Sequence, residues 1–181
     1  MPVPPFLSGR SARSAAQRAA DLVAVLVLAE PTVPAVSEVL LRHGEREPLG
    51  LTERDLVPLR AAAVDLRRVF AAEDVDEAAA LLNELLARHA HPPRLTTHGG
   101  AHDWHLHVDS RDDASWDEWL RTSSALALAV LLAERQQAPG GICAARGCGR
   151  PFVTAGSGSP RRYCSSRCAT RERVAAHRRR A

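Results

Sequence analysis

Apolar residues recur three and four positions apart through most of residues 17–137, the period of helices that bury one face. Gln17 to Ala29 is a strongly apolar helical run, interrupted by Asp21 and ended by Glu30-Pro31. Pro34 to His43 reads as a short helix, with proline in its first turn and Gly44 just past its end. Thr52 opens the next, with Asp55 three residues on as in a capping box. Leu56, Leu59, Ala63, Leu66 and Phe70 then follow at helical spacing, and Pro58 is expected to kink or delay the start. Asp76 to Arg88 places Leu81, Leu82, Leu85 and Leu86 inward, and Pro92-Pro93 stops it. The chain then turns extended: Arg94–Thr97 and Trp104–Val108 flank Gly99-Gly100, a β-hairpin signature. Ser115-x-x-Glu118 is a second capping box, opening a long helix whose buried face is Trp116, Trp119, Leu120, Ser123, Leu126, Ala127, Val130 and Leu131. Residues 1–12 read as a loose lead-in, and Pro139-Gly140-Gly141 as a short hinge.

The pattern predicts a mainly α protein: a helical N-terminal domain over 1–138 with one β-hairpin, then a small separate module over 139–181. Apolar residues make up 45% of the chain, enough for a real core in the first part. A second part of about forty residues is near the size that needs a metal or disulfides to fold.

Charge separates the same two regions. From Cys143 to Ala181 there are ten Arg and one acid, Glu172, a net of +9, whereas residues 1–142 carry a net of −6. The overall +3 hides this segregation. Lysine is absent and alanine abundant, which fits GC-rich coding, so the uneven distribution of arginine is more informative than its number. A basic module on an acidic body points to a polyanion partner, duplex nucleic acid foremost. No secretory signal is evident and the longest apolar run is too short to span a membrane, so a cytoplasmic, reducing location is expected.

All four cysteines lie in the basic module: Cys143, Cys148, Cys164 and Cys168, spaced C-x4-C and C-x3-C with fifteen residues between the pairs. Two close pairs can each supply two corners of a tetrahedron, so the spacing predicts one structural zinc ion per chain, with no open position for substrate. Two disulfides or an iron–sulfur cluster are the competing uses. Small residues around Cys148 allow backbone amides to turn toward sulfur, and Phe152 can cover the site. Thr154–Pro160 is a Gly/Ser loop, and a helix starting near Cys164 would place Cys164 and Cys168 on one face.

These residues resemble the CGNR-type zinc finger. The family's Cys-Gly-Asn-Arg corresponds to Cys168-Ala169-Thr170-Arg171, and its Arg-Arg-Trp-Cys to Arg161-Arg162-Tyr163-Cys164. The body resembles the ABATE domain that commonly precedes this finger, through Asp21-Leu22-Val23, where Ala24 stands for an Asn, and Leu82-Asn83-Glu84-Leu85-Leu86. The resemblance implies a stress-induced bacterial transcription regulator with a DNA-binding finger.

The DNA-contact candidates are Arg161, Arg162, Arg167, Arg171, Arg173, Arg178, Arg179 and Arg180. Arg161 and Arg162 read as phosphate anchors, and Arg171 and Arg173 as the residues that set sequence preference. The tail could instead dock on its own acidic body. The body would sense an unidentified small molecule or mediate assembly, for instance as a homodimer. A protein–protein adaptor is one alternative. An enzyme built on the histidine-rich hairpin is another, although no nucleophile motif, phosphate loop or dinucleotide fingerprint is present and the expectation is a protein without catalytic activity. His89, His91, His98, His102, His105 and His107 crowd that hairpin. A second metal or a ligand pocket is conceivable there, but no cysteine or carboxylate completes a recognisable ligand spacing, so a solvated polar face is the expectation. Trp104, Trp116 and Trp119 are expected in the core.

Overall fold

The computed structural model describes residues 9–100, 103–154 and 161–179. Of the lead-in, residues 1–8 lie outside the described residues, as do His102 and residues 155–160 of the Gly/Ser loop.

Six helices are present among the described residues: α1 (Gly9–Val27), α2 (Val33–Arg42), α3 (Glu53–Ala71), α4 (Val75–His89), α5 (Trp116–Arg135) and α6 (Ser166–Arg178). Helix α1 begins before Gln17, since the residues ahead of it contain no breaker until Gly9. Its small buried side chains, Ala12, Ala16, Ala19 and Ala20, let neighbours approach closely. Pro58 sits inside α3 without ending it. It lies near the start, where it removes only the bond that the carbonyl of exposed Arg54 would accept.

The two capping boxes differ. At Thr52, the Asp55 carboxylate accepts from the Thr52 amide (2.8 Å) and hydroxyl (2.7 Å), so aspartate serves where Glu or Gln is usual. At Ser115 the predicted box does not close. The Ser115 hydroxyl donates to Asp117 (2.7 Å), while Glu118 accepts from the Ser110 amide (2.6 Å) and anchors the incoming loop. Helix α4 is capped by Asp74, which accepts from the Glu77 amide at 2.8 Å.

Helix α5 packs against α1, α3 and α4, α1 also packs on α3, and α2 covers α1. Leu22, Leu26, Leu59, Leu66, Phe70, Leu82, Leu120, Leu128 and Leu131 fill the centre of this bundle. At its edge Arg121 bridges Asp65 (3.0 Å) and Asp117 (2.7 Å). Among the described residues no helix is long and apolar enough to cross a membrane.

The predicted hairpin forms as β1 (Arg94–Thr96) and β2 (His105–His107), antiparallel, with Thr96 opposite His105 and Arg94 opposite His107. A second hairpin, β3 (Gly140–Ile142) with β4 (Pro151–Val153), was not expected from the sequence. It replaces the hinge read at Pro139-Gly140-Gly141. It packs on α1 and α3, and Val153 joins the central core. The glycine at 140 permits this contact: a Cβ there would lie 2.3 Å from the Phe152 carbonyl oxygen and 2.7 Å from Phe70 Cδ1.

Two further expectations change. Trp104 is 69% exposed and leaves the core, whereas Trp116 and Trp119 are half-buried and packed against it, meeting edge to face at 5.2 Å. His98, His105 and His107 are not a solvated face, although His91 is exposed. His105 is 8% exposed, and the rings of His98, His105 and His107 meet at centroid separations of 4.7 to 4.9 Å.

Candidate metal centre and basic helix

The second hairpin delivers the first cysteine pair. Cys143 follows β3 directly, and its amide donates to the Arg150 carbonyl at 2.9 Å, closing the loop that carries Cys148. Gly147, at φ +69°, makes the left-handed turn that loop requires. The chain returns beside this knuckle through Ala144, whose amide donates to the Arg162 carbonyl at 2.9 Å. Cys164 then precedes α6, and Cys168 occupies its first turn. The Ser165 hydroxyl caps the helix by accepting from the Cys168 amide at 3.3 Å.

The four sulfurs converge. Cys148, Cys164 and Cys168 are mutually 3.7 Å apart, and all four Sγ atoms lie within 4.8 Å of one another. Four thiolates about 2.3 Å from a tetrahedral zinc ion would be separated by about 3.8 Å, so the spacing fits that ion and is far too long for disulfides. The Cys164 amide also points at Cys143 Sγ (3.3 Å), the kind of bond that stabilises a thiolate. In the metal-free cluster the thiols cannot all ionise. Burial and proton sharing with Cys143, Cys148 and Cys168 push Cys164 up to about 12. Burial alone would raise Cys143 too, but the Cys164 and Ala145 amides and the neighbouring thiols hold it at about 7. A divalent cation removes the conflict by favouring all four thiolates at once.

Phe152 and Tyr163 complete a small cluster around the sulfurs, separate from the bundle core. Two residues of α6 tie it to the knuckle. Glu172 accepts from the Arg146 amide (2.8 Å), and Arg171 donates to the Arg146 carbonyl (3.0 Å) and lies 4.0 Å from Cys168 Sγ. On the other side Arg161 donates to the Cys164 carbonyl (3.2 Å) and lies over the Phe152 ring at 5.7 Å. Arg171 and Arg161 therefore hold the finger together through backbone carbonyls, Arg171 that of distant Arg146 and Arg161 that of nearby Cys164.

Arg162, Arg167, Arg173, Arg178 and Arg179 are exposed and form no ion pair among the described residues. Arg180 lies outside the described residues. Among the described finger arginines, Arg150 alone reaches a body carboxylate, Asp21 at 3.9 Å, so the other described ones are not neutralised by the body. Arg67 of α3 donates to the Gly149 carbonyl (2.9 Å) and Arg135 to the Thr154 carbonyl (3.1 Å), which fastens the hairpin to the helices.

Residues 141–181 match the family model of the CGNR zinc finger. The hairpin, the sulfur tetrad and this match together define one Zn(2+) site, held by Cys143, Cys148, Cys164 and Cys168. Its ligands are all protein thiolates, so the ion is structural. No curated protein matches the chain.

Proposed function

We propose that the chain is a DNA-binding transcription regulator in which the zinc cluster presents α6 to a duplex and the ABATE-like body carries regulation or assembly. The observation that carries this reading is the outer face of α6. Arg167, Arg173 and Arg178 are exposed there, around Thr170, Val174 and His177, while Cys168 faces the metal cluster. A rigid helix with several unneutralised guanidinium groups suits phosphate contacts and bidentate recognition of guanine. Arg162 and Arg179, at the two ends of the element, extend the same positive surface. Arg161 and Arg171 act here as supports, so sequence preference rests on Arg173 and its neighbours.

The test is fluorescence anisotropy of the zinc-loaded full chain with labelled duplex DNA across a salt series. Binding should weaken linearly in log–log form, and Arg173→Gln with Arg178→Gln should flatten the slope by about one per lost phosphate contact. If no salt-dependent binding occurs, or the double substitution leaves it unchanged, the reading fails and a zinc-dependent protein adaptor replaces it. Val174, 45% exposed within the basic face, would then be the apolar anchor of that protein contact.

A further inference from the structure

Three imidazoles of the first hairpin point one nitrogen each at a common centre. The Nε2 atoms of His105 and His107 are 2.9 Å apart, and His98 Nε2 is 3.1 Å from the first and 3.2 Å from the second. The local fold makes this arrangement. His105 and His107 alternate along β2 and so share a face, opposite Thr96 and Arg94. His98 leaves β1 in a left-handed turn, φ +49°, and folds over that same face. A left-handed conformation at a non-glycine residue is sparsely populated and is held here by neighbours, including the His98 amide donating to Thr96 Oγ1 at 3.0 Å.

We propose that His98, His105 and His107 form a second metal centre, a three-imidazole site for a first-row divalent transition ion whose remaining coordination positions open on the adjoining cavity. The far nitrogens fix the tautomers of His105 and His107. His107 Nδ1 donates to the Asp109 carboxylate (2.7 Å), and His105 Nδ1 donates to the Asp103 carbonyl (2.7 Å). In the neutral rings the Nε2 atoms of His105 and His107 then carry lone pairs, directed at each other and toward His98 Nε2. A cation at the common centre would accept a lone pair from all three rings at once. With metal–nitrogen bonds of about 2.1 Å, the edges would be about 3.4 Å in a tetrahedron and about 3.0 Å on an octahedral face. The observed edges suit the octahedral face more closely.

The surrounding shell is also built for this use. Asp109 is 4% exposed and accepts from Arg94 (2.8 Å) as well as from His107. Asp112 accepts from Arg94 and from Thr96 Oγ1 (2.7 Å) and lies 4.0 Å from His98 Nδ1. Carboxylates behind ligating imidazoles orient the rings and raise their donor strength. An all-imidazole set without thiolate selects zinc, nickel, copper or iron over magnesium and calcium.

The histidines line a cavity of about 860 Å³ shared with α1 and α5, whose walls include Trp116, Trp119, Leu126 and Arg18. Arg18 stacks on Trp119 at 4.3 Å and pairs with Glu45 at 3.2 Å, yet its buried Nε has no partner among the described residues. A small molecule with a carboxylate or similar oxygen donor suits both the metal's open positions and this guanidinium. The proposal does not depend on whether the finger binds DNA.

Metal content of the full chain, equilibrated with zinc and separately with cobalt, nickel and copper, tests it. The wild type should hold two ions per chain. His105→Ala with His107→Ala should hold one, with the finger cysteines still loaded, and Cys148→Ser with Cys168→Ser should keep the other. His98→Asn, which tolerates the left-handed turn, should weaken the second ion at least ten-fold while circular dichroism is unchanged, and it serves if the double variant fails to fold. Azide should shift the absorption of cobalt at the histidine centre if positions are open to the cavity. One ion per chain with every metal, or a second ion that survives all the histidine substitutions, overturns the site. An azide-insensitive cobalt spectrum overturns its open positions.

Discussion

Among the described glycines Gly140 has the closest packing, and its replacement isolates the contact between hairpin and bundle. An added Cβ would meet the backbone carbonyl of Phe152, which is fixed by strand pairing, and the ring of buried Phe70. Gly140→Ala should cost about 1–3 kcal/mol, the range for overpacking, seen as a lower urea midpoint. Gly99→Ala meets nothing within 4 Å and should cost only the strain of its positive φ. Asp117 carries a pH dependence. Burial works against its charge, but the Ser115 hydroxyl and the Arg121 guanidinium outweigh it and hold its pKa below the usual carboxylate value. A depressed folded pKa means stability that is present above about pH 4 and lost as pH falls through the folded value. Asp117→Asn should therefore lose about 1–2 kcal/mol near neutrality. Its stability should also vary less with pH in the acid range, as chemical denaturation at stepped pH would reveal.

At the scale of elements, the two parts of the finger depend on different things. Hairpin β3–β4 is seated on α1 and α3, with Val153 in the main core, whereas α6 is joined to the rest chiefly through the sulfur cluster and the two bonds to Arg146. A helix of thirteen residues is marginal in water by itself. Chelation of zinc should abolish hydrogen-exchange protection in residues 166–178 while β4 amides keep most of theirs. Loss of protection in both together would mean that zinc, and not the bundle, holds the hairpin.

Across the whole molecule the charge division sets the expected DNA behaviour. On the proposed DNA reading, the body's net of −6 would repel the phosphates that the +9 finger attracts. A fragment beginning at Pro139 should bind non-specific duplex at least as tightly as the full chain at low salt. The difference should shrink as salt rises, because surface repulsion is screened over about 8 Å at physiological ionic strength. The same fragment loses the burial of Val153, so its hairpin should exchange faster than in the full chain. Anisotropy across a salt series and hydrogen exchange on both constructs measure these two effects separately.

The sequence by itself determined what short-range periodicity and spacing encode. Helix spacing marked α2 to α5 within a few residues of their ends, and the cysteine spacing named all four zinc ligands, because side chains three or four apart share a helix face and a knuckle is a local turn. Most of its errors share one physical cause. Ser115 and Glu118 have the letters of a capping box, yet Ser115 donates to Asp117 in the helix's own first turn and Glu118 anchors the approaching loop through the Ser110 amide. Gly140-Gly141 has the composition of a hinge, but its missing side chains serve a tight contact with Phe70 and Phe152, residues far away and across the hairpin. His98, His105 and His107 match no ligand spacing, since they meet through strand pairing and a left-handed turn, and only the folded hairpin brings their nitrogens within 3.2 Å. Arg171, read from the sequence as a base contact, and Glu172, read as the tail's one acid, instead bond to the backbone of Arg146 that the knuckle places beside them. Contacts carried by backbone atoms of distant residues leave no periodic trace in the side-chain pattern, so tertiary structure alone decided them.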